Sequence, residues 1–385
     1  MRKIIFLTGT RADFGKLKSL IGILRNSNQF EIHIFATGMH MDNKYGYTVH
    51  EIEKCGYQNI YKYINHDSES MMDITLSRTI EGFANYVRMV QPDLIVVHGD
   101  RIETLSGATV GALNNILVAH IEGGEISGTV DELIRHAVSK LSHTHFVSNT
   151  EAAQRLRQMG ELEESIYVIG SPDMDVMLSE NLPDINTVKA YYEIDFNKYT
   201  LSIFHPVTTE FDMMDEYAHN YFDALVNSNL NYVMIYPNND KGSNLIMHQL
   251  RNYRYHPKFK IFPSLRFEYF LTLLKHASFI IGNSSAGIRE APYYGIPTVN
   301  VGTRQNGRTN NNDIIHCSYK TFEITKGIEK ALKQKKFPLQ YSFGDGNSAN
   351  LFLEILSADS FWQTQKQKAF KEVTSTERGS LINQN

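Results

Sequence analysis

Short apolar runs alternate with amphipathic stretches along most of the chain. In the first half, apolar runs predict strands at residues 3–8, 31–37, 94–98, 117–121, 145–148 and 167–169. Between them, apolar residues recur with a period of about 3.6, which predicts helices such as 16–26, 74–90 and 130–141. Strands and helices in this alternation predict a doubly wound sheet of parallel strands.

A second alternation of the same kind follows a turn-rich segment at residues 181–186. It predicts strands at 201–204, 232–236, 260–262, 279–281 and 298–301, with helices at 212–228 and 266–276. We therefore expect two α/β domains, residues 1–180 and 181–365, with a ligand site in the cleft between them. A helical stretch within 348–371 is expected to pack partly on the first domain, ahead of a polar tail at 372–385.

Length and composition agree with this organisation and exclude several classes of partner. A chain of 385 residues exceeds one compact core and suits two. The net charge of −4 provides no basic field for nucleic acid or an anionic membrane. The two cysteines, Cys55 and Cys317, predict neither a disulfide framework nor a zinc site. Since neither a signal peptide nor a membrane span is predicted, we expect a cytoplasmic protein.

Two carboxylates stand at the ends of predicted buried strands. Asp100 follows the run at 94–98, and Glu122 follows the run at 117–121. Ligands of open parallel sheets bind outside the carboxyl ends of the strands. His98 and His120 end the same two strands, so this edge of the sheet is predicted to carry proton-transfer chemistry.

A third carboxylate, Asp131, has two interpretations. It lies in the first turn of a predicted helix capped by Thr129, and Arg135 is one turn further along, so the two could form an ion pair. It could instead face the cleft with the other two carboxylates. Glu125 and Glu132 are expected to be solvated or to cap the helix. The spacing of these residues fits neither HExxH nor a two-metal carboxylate cage, so no metal is implied.

The segment IIGNSSAGIREAP at 280–292 is the strongest phosphate signal. Small and hydroxyl-bearing residues separate a predicted strand from a helix, where free backbone N–H groups bind anions. Ser284 and Ser285 would add hydroxyl donors, Gly282 would allow close approach, and Glu290 could accept from ribose hydroxyls. A capped helix after a tight turn would give the same pattern.

Three further residues are candidates for binding the ligand. Arg11 follows the first strand and could reach a phosphate, although a surface turn is an alternative. His205 follows the first strand of the second domain and could face the cleft or cap a helix. Arg266 lies in the aromatic segment 262–270, which could hold a base ring or belong to the core.

Anion-binding residues in one domain and carboxylates in the other suit a nucleotide-sugar. An enzyme with this arrangement could transfer the sugar to an acceptor. It could also expel the nucleotide while a base removes the proton from sugar C2. The density of carboxylates favours the second reaction.

Six segments carry a resemblance to a known family. The chain resembles the UDP-N-acetylglucosamine 2-epimerase family from about residue 1 to 365, and the hydrolysing branch of that family most closely. The segments are GTRADFGK (9–16), VHGDRIETLSGATVGA (97–112), HIEGGEISGTVDELIRHAVSKLSH (120–143), GSPDMDVM (170–177), FHPVTTE (204–210) and GNSSAGIREAPYYGIP (282–297). The resemblance implies a GT-B-like fold of two Rossmann-like domains, a homodimer, and no metal or nicotinamide cofactor.

The resemblance also implies a reaction and a set of site residues. UDP-N-acetylglucosamine would lose UDP by anti elimination to 2-acetamidoglucal, and hydration would give N-acetylmannosamine for bacterial sialic acid and capsule synthesis. Glu122 or Asp131 would transfer the C2 proton, and Asp100 would act in hydration. The remaining implied roles are departure of UDP for His205, phosphate binding for Arg11, Ser284 and Ser285, and ribose binding for Glu290.

Four other functions stay open at this point. A non-hydrolysing epimerase would produce UDP-N-acetylmannosamine. The amino-acid sequence of segments 120–132 and 204–210 resembles the hydrolysing branch more closely. A hydrolysing epimerase could act on a 2,4-diacetamido-trideoxy nucleotide-sugar instead. A GT-B glycosyltransferase would share the fold, and a non-catalytic nucleotide-sugar binding protein is the fourth alternative.

Overall fold

The computed structural model describes residues 1–66, 71–127, 129–307, 312–334 and 342–372. The predicted polar tail therefore lies outside the described residues except for its first position, Glu372. Within these ranges the chain forms two parallel sheets, each flanked by helices on both faces. Among the described residues, no helix has both the length and the apolar character needed to cross a membrane.

The first sheet has the strand order β3-β2-β1-β4-β5-β6-β7. Its strands are β1 (Arg2–Thr8), β2 (Phe30–Ala36), β3 (Asn59–Lys62), β4 (Leu94–His98), β5 (Leu117–Ile121), β6 (Thr144–Val147) and β7 (Ile166–Val168). The accompanying helices are α1 (Arg11–Asn26), α2 (Val49–Glu53), α3 (Met72–Val90), α4 (Ile102–Leu113), α5 (Val130–Leu141), α6 (Thr150–Gln158) and α7 (Pro172–Met177).

The second sheet has the order β10-β9-β8-β11-β12-β13. Its strands are β8 (Thr200–Ile203), β9 (Tyr232–Ile235), β10 (Phe259–Phe262), β11 (Ile280–Gly282), β12 (Thr298–Val301) and β13 (Ile315–Cys317). The remaining helices are α8 (Ile185–Tyr191), α9 (Met214–Asn227), α10 (Ser243–Arg251), α11 (Phe267–Lys275), α12 (Glu290–Tyr293), α13 (Thr321–Lys333) and α14 (Ser348–Ser357). Two doubly wound parallel sheets confirm the predicted fold class.

The central strands are apolar on both faces because helices cover both sides of each sheet. In β4, residues 94–97 are completely buried. The sequence pattern missed β3 and β13, which pair with one neighbour each at the edges of the sheets and are only partly buried. These two strands lack the continuous apolar run by which the central strands were predicted.

The strand order reverses at one place in each sheet, and this decides where a ligand can bind. The reversals lie between β1 and β4 in the first sheet and between β8 and β11 in the second. A crevice forms at such a reversal because the connections on its two sides leave in opposite directions. The segments that leave the strands there are 9–11 and 99–101 in the first domain, and 204–206 and 283–285 in the second.

Helix α14 returns to the first domain after the second sheet is complete. The ring of Phe352 lies edge-on to Phe146 of β6, with the centroids 4.7 Å apart. Phe361 also packs on Phe146 and belongs to the same buried cluster. The core of the first domain therefore includes residues from the last part of the described chain.

We expect Phe352→Ala to lower the free energy of unfolding by about 3–5 kcal/mol, because it opens a cavity in the first domain's core. Phe322→Ala is the control, since Phe322 in α13 is 66% exposed and should change stability little. Denaturant titration followed by circular dichroism measures both. Equal effects of the two substitutions would contradict the role of α14 in this core.

Candidate active site

A cavity of about 310 Å³ lies between the two domains, outside both strand-order reversals. Residues of both domains line it. Among the predicted site residues, those that contribute to its wall are Arg11, Asp100, Glu122, Asp131, His205, Ser284, Ser285 and Glu290. The structure thus brings the predicted carboxylates and the predicted anion-binding residues to one cavity.

Two predicted ligand-binding residues do not line the cavity. A Cβ on Gly282, whose φ is +131°, would lie 1.9 Å from the carbonyl oxygen of Ile203. Only a glycine therefore lets β11 pair with β8 at this position. Arg266 lies outside the cavity, with Nε 2.9 Å from Oε2 of Glu51 and its guanidinium over the ring of Tyr191. These contacts give both residues another role in this structure, and direct ligand binding by them stays a prediction. Gly282 supports the strand packing, and Arg266 links the two domains.

Glu122 is held from three directions at the end of β5. Its φ is +64°, a left-handed conformation that is uncommon for any residue other than glycine. Oε1 accepts hydrogen bonds from Arg289 Nη2 at 2.6 Å and from the hydroxyl of Ser171. Oε2 lies 3.3 Å from Nε2 of His98. The carboxylate is therefore fixed in position and still lines the cavity.

The charges around Glu122 keep it ionised. Burial alone would raise the pKa of this carboxyl group, but the positive charges of Arg289, Lys16 and His98 outweigh burial. The pKa of Glu122 is consequently well below its ordinary value. Glu122 is thus available to accept a proton.

Arg289 reaches from the second domain into the first. Its guanidinium is buried, and Nη1 donates to both carboxylate oxygens of Glu125 at 2.6 and 2.5 Å. Glu125 also accepts a hydrogen bond from the Ser148 hydroxyl at 2.8 Å. The expectation that Glu125 is solvated or capping is therefore wrong. Glu125 is buried, and its negative charge compensates the buried positive charge of Arg289.

The alternative in which Asp131 pairs with Arg135 is wrong. Arg135 donates instead to Asp100, while Asp131 accepts from Nη2 of Arg304 in the second domain at 2.9 Å. Thr129 caps α5 as predicted, since its hydroxyl accepts from the N–H of Asp131 at 3.3 Å. Asp100 and Asp131 both line the cavity, and each forms an ion pair with an arginine.

His205 faces the carboxylates from the second domain as a neutral imidazole. Its Nδ1 accepts from the backbone N–H of Asn238 at 3.0 Å, which leaves the ring hydrogen on Nε2. Burial, together with the positive charges of Arg304 and Arg101, holds the pKa of His205 well below its ordinary value. His205 can therefore donate one hydrogen bond to a ligand without carrying a charge.

The anion side of the cavity consists of Ser284, Ser285 and Arg11. The two serines follow β11 and open a short 3₁₀ turn, Ser285–Gly287. Arg11 is the first residue of α1, and its Nε is buried without a hydrogen-bond partner among the described residues. These groups leave donors and one positive charge for an anionic ligand.

Glu290 has an oxygen without a partner. Oε1 lies 3.7 Å from Nζ of Lys16, while Oε2 is buried and accepts no hydrogen bond from any described residue. Burial raises the pKa of Glu290, and the charge of Lys16 offsets this only in part. A buried acceptor without a donor is unfavourable, so a ligand hydroxyl would improve its state.

Lys16, which was not among the predicted site residues, lies at the centre of these charges. Its Nζ lies 3.0 Å from Oδ2 of Asp173 and 3.8 Å from Oε1 of Glu122. Burial would lower the pKa of Lys16, but Asp173 and Glu122 raise it above its ordinary value. A lysine on the apolar face of a predicted helix was the available signal.

His120 has a structural role, in contrast to its prediction. It is completely buried, with Nε2 2.8 Å from the carbonyl oxygen of Gly99 and Nδ1 3.1 Å from the hydroxyl of Ser139. Burial lowers the pKa of His120 to about 3. This histidine is neutral and connects β5 to its neighbours.

A sequence model of one protein family matches residues 23–357, and its description is UDP-N-acetylglucosamine 2-epimerase. The chain belongs to this family. A UDP-N-acetylglucosamine 2-epimerase of Neisseria meningitidis serogroup B is 48% identical over 96% of this chain and 99% of its own length. A hydrolysing UDP-N,N'-diacetylbacillosamine 2-epimerase of Legionella pneumophila is 35% identical over 92% and 96%.

Solved structures share the fold of this family member. UDP-N-acetylglucosamine 2-epimerase of Methanocaldococcus jannaschii, in complex with UDP-GlcNAc and UDP, superposes with a TM-score of 0.79 at 22% identity. The match covers 93% of this chain and 99% of that one. The enzyme of Neisseria meningitidis bound to UDP-GlcNAc gives 0.76 at 18% identity, over 92% and 99%. The likeness confirms the GT-B-like arrangement.

We expect Arg289→Leu to destabilise the protein by about 3–5 kcal/mol at neutral pH, because it leaves buried carboxylates without a counter-charge. Arg289 lowers the pKa of Glu122 in the folded protein. The ion pair therefore contributes its full stabilisation of the fold above pH 4.5, the ordinary pKa of a glutamate, and loses it as the pH falls below that value. The stability difference from wild type should therefore narrow at acid pH. Denaturant titrations from pH 7 down to pH 4 measure it.

Arg254→Leu is the control for this measurement, because Arg254 is exposed near the end of α10. It should change stability little at any pH in the series. A difference between Arg289→Leu and wild type that stays constant down to pH 4 would contradict the assigned ion pairs.

Proposed function

We propose that this epimerase is the hydrolysing kind, which converts UDP-N-acetylglucosamine and water into N-acetylmannosamine and UDP. The observation that supports this best is one cavity in which an ionised Glu122 faces His205, Ser284 and Ser285 of the other domain. A polysialic acid biosynthesis protein of Escherichia coli, 32% identical over 87% of each chain, supports a role in bacterial sialic acid synthesis.

The first step is elimination of UDP. The bond between C1 and the diphosphate oxygen breaks, and its electron pair leaves with UDP. In the proposed binding mode Arg11 and Ser284 hold the diphosphate, and Nε2–H of His205 donates to it. Positive charge that develops on the sugar makes the C2 proton far more acidic, so a carboxylate as weakly basic as Glu122 can accept it.

The second step is hydration of 2-acetamidoglucal. The water oxygen bonds to C1, and a proton reaches C2 from the face opposite to the one that lost it. In this proposal Asp131 and Asp100, held by Arg304 and Arg135, direct the water, accept the proton that it loses as its oxygen bonds to C1, and pass a proton to C2. The product is N-acetylmannosamine, and the proton held by Glu122 returns to solvent.

A second candidate substrate is a 2,4-diacetamido-trideoxy nucleotide-sugar, and the names of two relatives favour it. The Legionella relative is named for UDP-N,N'-diacetylbacillosamine. A relative of Campylobacter jejuni, 32% identical over 87% of this chain and 88% of its own length, is named for the GDP- or UDP-linked sugar and is also called hydrolysing. This substrate would undergo the same two steps, since it differs at C4 and C6 and not at C1 or C2.

Incubation with UDP-N-acetylglucosamine in D₂O, followed by NMR, tests the proposed function. We expect free N-acetylmannosamine with deuterium at C2, together with an equimolar amount of UDP. A sugar that stays bound to UDP would indicate the non-hydrolysing reaction, and turnover that requires an acceptor would indicate a glycosyltransferase. A parallel reaction with the diacetamido nucleotide-sugar compares kcat/KM for the two substrates.

We expect Asp100→Asn and Asp131→Asn to lower kcat by about 10²-fold or more and to release 2-acetamidoglucal, because hydration is slowed more than elimination. Asp223→Asn is the control, since Asp223 is half exposed on α9 and should keep wild-type turnover. Product analysis by NMR measures each variant. Wild-type rates in both cavity variants would overturn these assignments.

A further inference from the structure

His98 lies between two carboxylates in the wall of the cavity. Its Nδ1 is 2.8 Å from Oδ1 of Asp13, and its Nε2 is 3.3 Å from Oε2 of Glu122. Both ring nitrogens therefore face groups that only accept hydrogen bonds when ionised. The contact with Asp13 is a hydrogen bond, whereas the contact with Glu122 is an ion pair without hydrogen-bond geometry. A carboxylate beside each ring nitrogen favours the imidazolium form of the ring.

The strand order sets this arrangement. His98 is the last residue of β4, at the reversal of the first sheet, and β5 places Glu122 beside it. Asp13 comes from the first turn of α1 and is itself fixed, because its Oδ2 accepts from the N–H of Gly9 at 3.0 Å. The three side chains thus form a line from α1 across β4 to the end of β5.

Charged and titratable groups of both signs surround His98, and the two carboxylates favour its protonated form. Helix α1 contributes Asp13, and β5 contributes His120. Lys16 and Arg289 lie beside Glu122, on the other side of that carboxylate. Burial alone would lower the pKa of His98. Glu122 and Asp13 outweigh burial and raise it to about 9.

The contact between His98 and Glu122 differs from the other contacts of this carboxylate. At 3.3 Å it is long for a hydrogen bond, whereas Arg289 binds Oε1 at 2.6 Å. Oε1 is therefore occupied by strong donors, whereas Oε2 accepts no hydrogen bond from the part of the chain that the structure describes. The imidazolium orients and neutralises the carboxylate without blocking the oxygen that would take a proton.

We propose that His98 is a positioning residue for proton transfer: as an imidazolium held by Asp13, it orients Glu122 and keeps it ionised for the C2 proton. The inference rests on the proposed function, since it assigns the base of that reaction. It implies that turnover falls when His98 loses its own proton at alkaline pH.

The dependence of kcat on pH in wild type, His98→Gln and Asp13→Asn tests this role. Glutamine keeps an N–H donor for Glu122 without the charge, so kcat should fall by about 10²-fold at neutral pH. The alkaline decrease caused by His98 should be absent in that variant. In Asp13→Asn the decrease should move to lower pH, because the imidazolium loses one anionic neighbour.

His219→Gln is the matched control, since His219 is exposed on α9 and should leave the pH profile unchanged. A His98→Gln enzyme with the wild-type profile overturns the inference. A loss of turnover that is equal at every pH, with no shift in Asp13→Asn, also overturns it and assigns His98 a merely structural role. Circular dichroism checks whether each variant is folded. If His98→Gln is not folded, Asp13→Asn still tests the inference through its shift of the pH profile.

A second measurement on the free protein separates this inference from the proposed reaction. In ¹⁵N-histidine NMR spectra, the signals of His98 are identified by their absence in His98→Gln. Both ring nitrogens should carry hydrogen at pH 7.5 and titrate near pH 9, and Glu122→Gln should lower that value. A neutral ring at pH 7.5 overturns the inference, whereas absence of N-acetylmannosamine formation by wild type overturns the proposed function.

Discussion

A guanidinium buried between two domains needs an equivalent amount of negative charge beside it, and this requirement organises the centre of the molecule. Arg289 finds that charge in Glu122 and Glu125 of the other domain. Removing either side would leave buried charge uncompensated, at a cost of several kcal/mol. The ion pairs that join the domains are therefore the same ones that keep Glu122 ionised, and stability and chemistry share one set of contacts.

The remaining charges in the cleft follow the same rule. Asp100 is paired with Arg135 within the first domain, and Asp131 is paired with Arg304 across the cleft. Fixed charges of both signs can stabilise a reaction in which a diphosphate gains negative charge as it leaves a sugar that becomes positive, because they need no reorganisation as the charge develops. Arg11 differs from these paired residues, since it makes no ion pair with any described residue and is free for the ligand.

The sequence predicted where the site residues lie better than it predicted their partners. Buried parallel strands have a clear apolar signature, and the residues that follow them must meet at one edge, so Asp100 and Glu122 could be placed. Partners depend on which surfaces face each other across the cleft, and helical spacing does not report that. Spacing alone suggested Arg135 for Asp131, while the second domain supplies Arg304. Gly282 shows the same limit, because the close approach that the structure requires of it is to a neighbouring strand.

The return of α14 to the first domain has a consequence for the order of folding. Phe146 packs against Phe352 and Phe361, which are synthesised after every strand of the second sheet. During synthesis, part of the apolar surface of the first sheet therefore stays uncovered until the ribosome has also released the second domain and α14. The domain that is made first is completed last, and exposure of this surface makes the unfinished chain prone to aggregation in the interval.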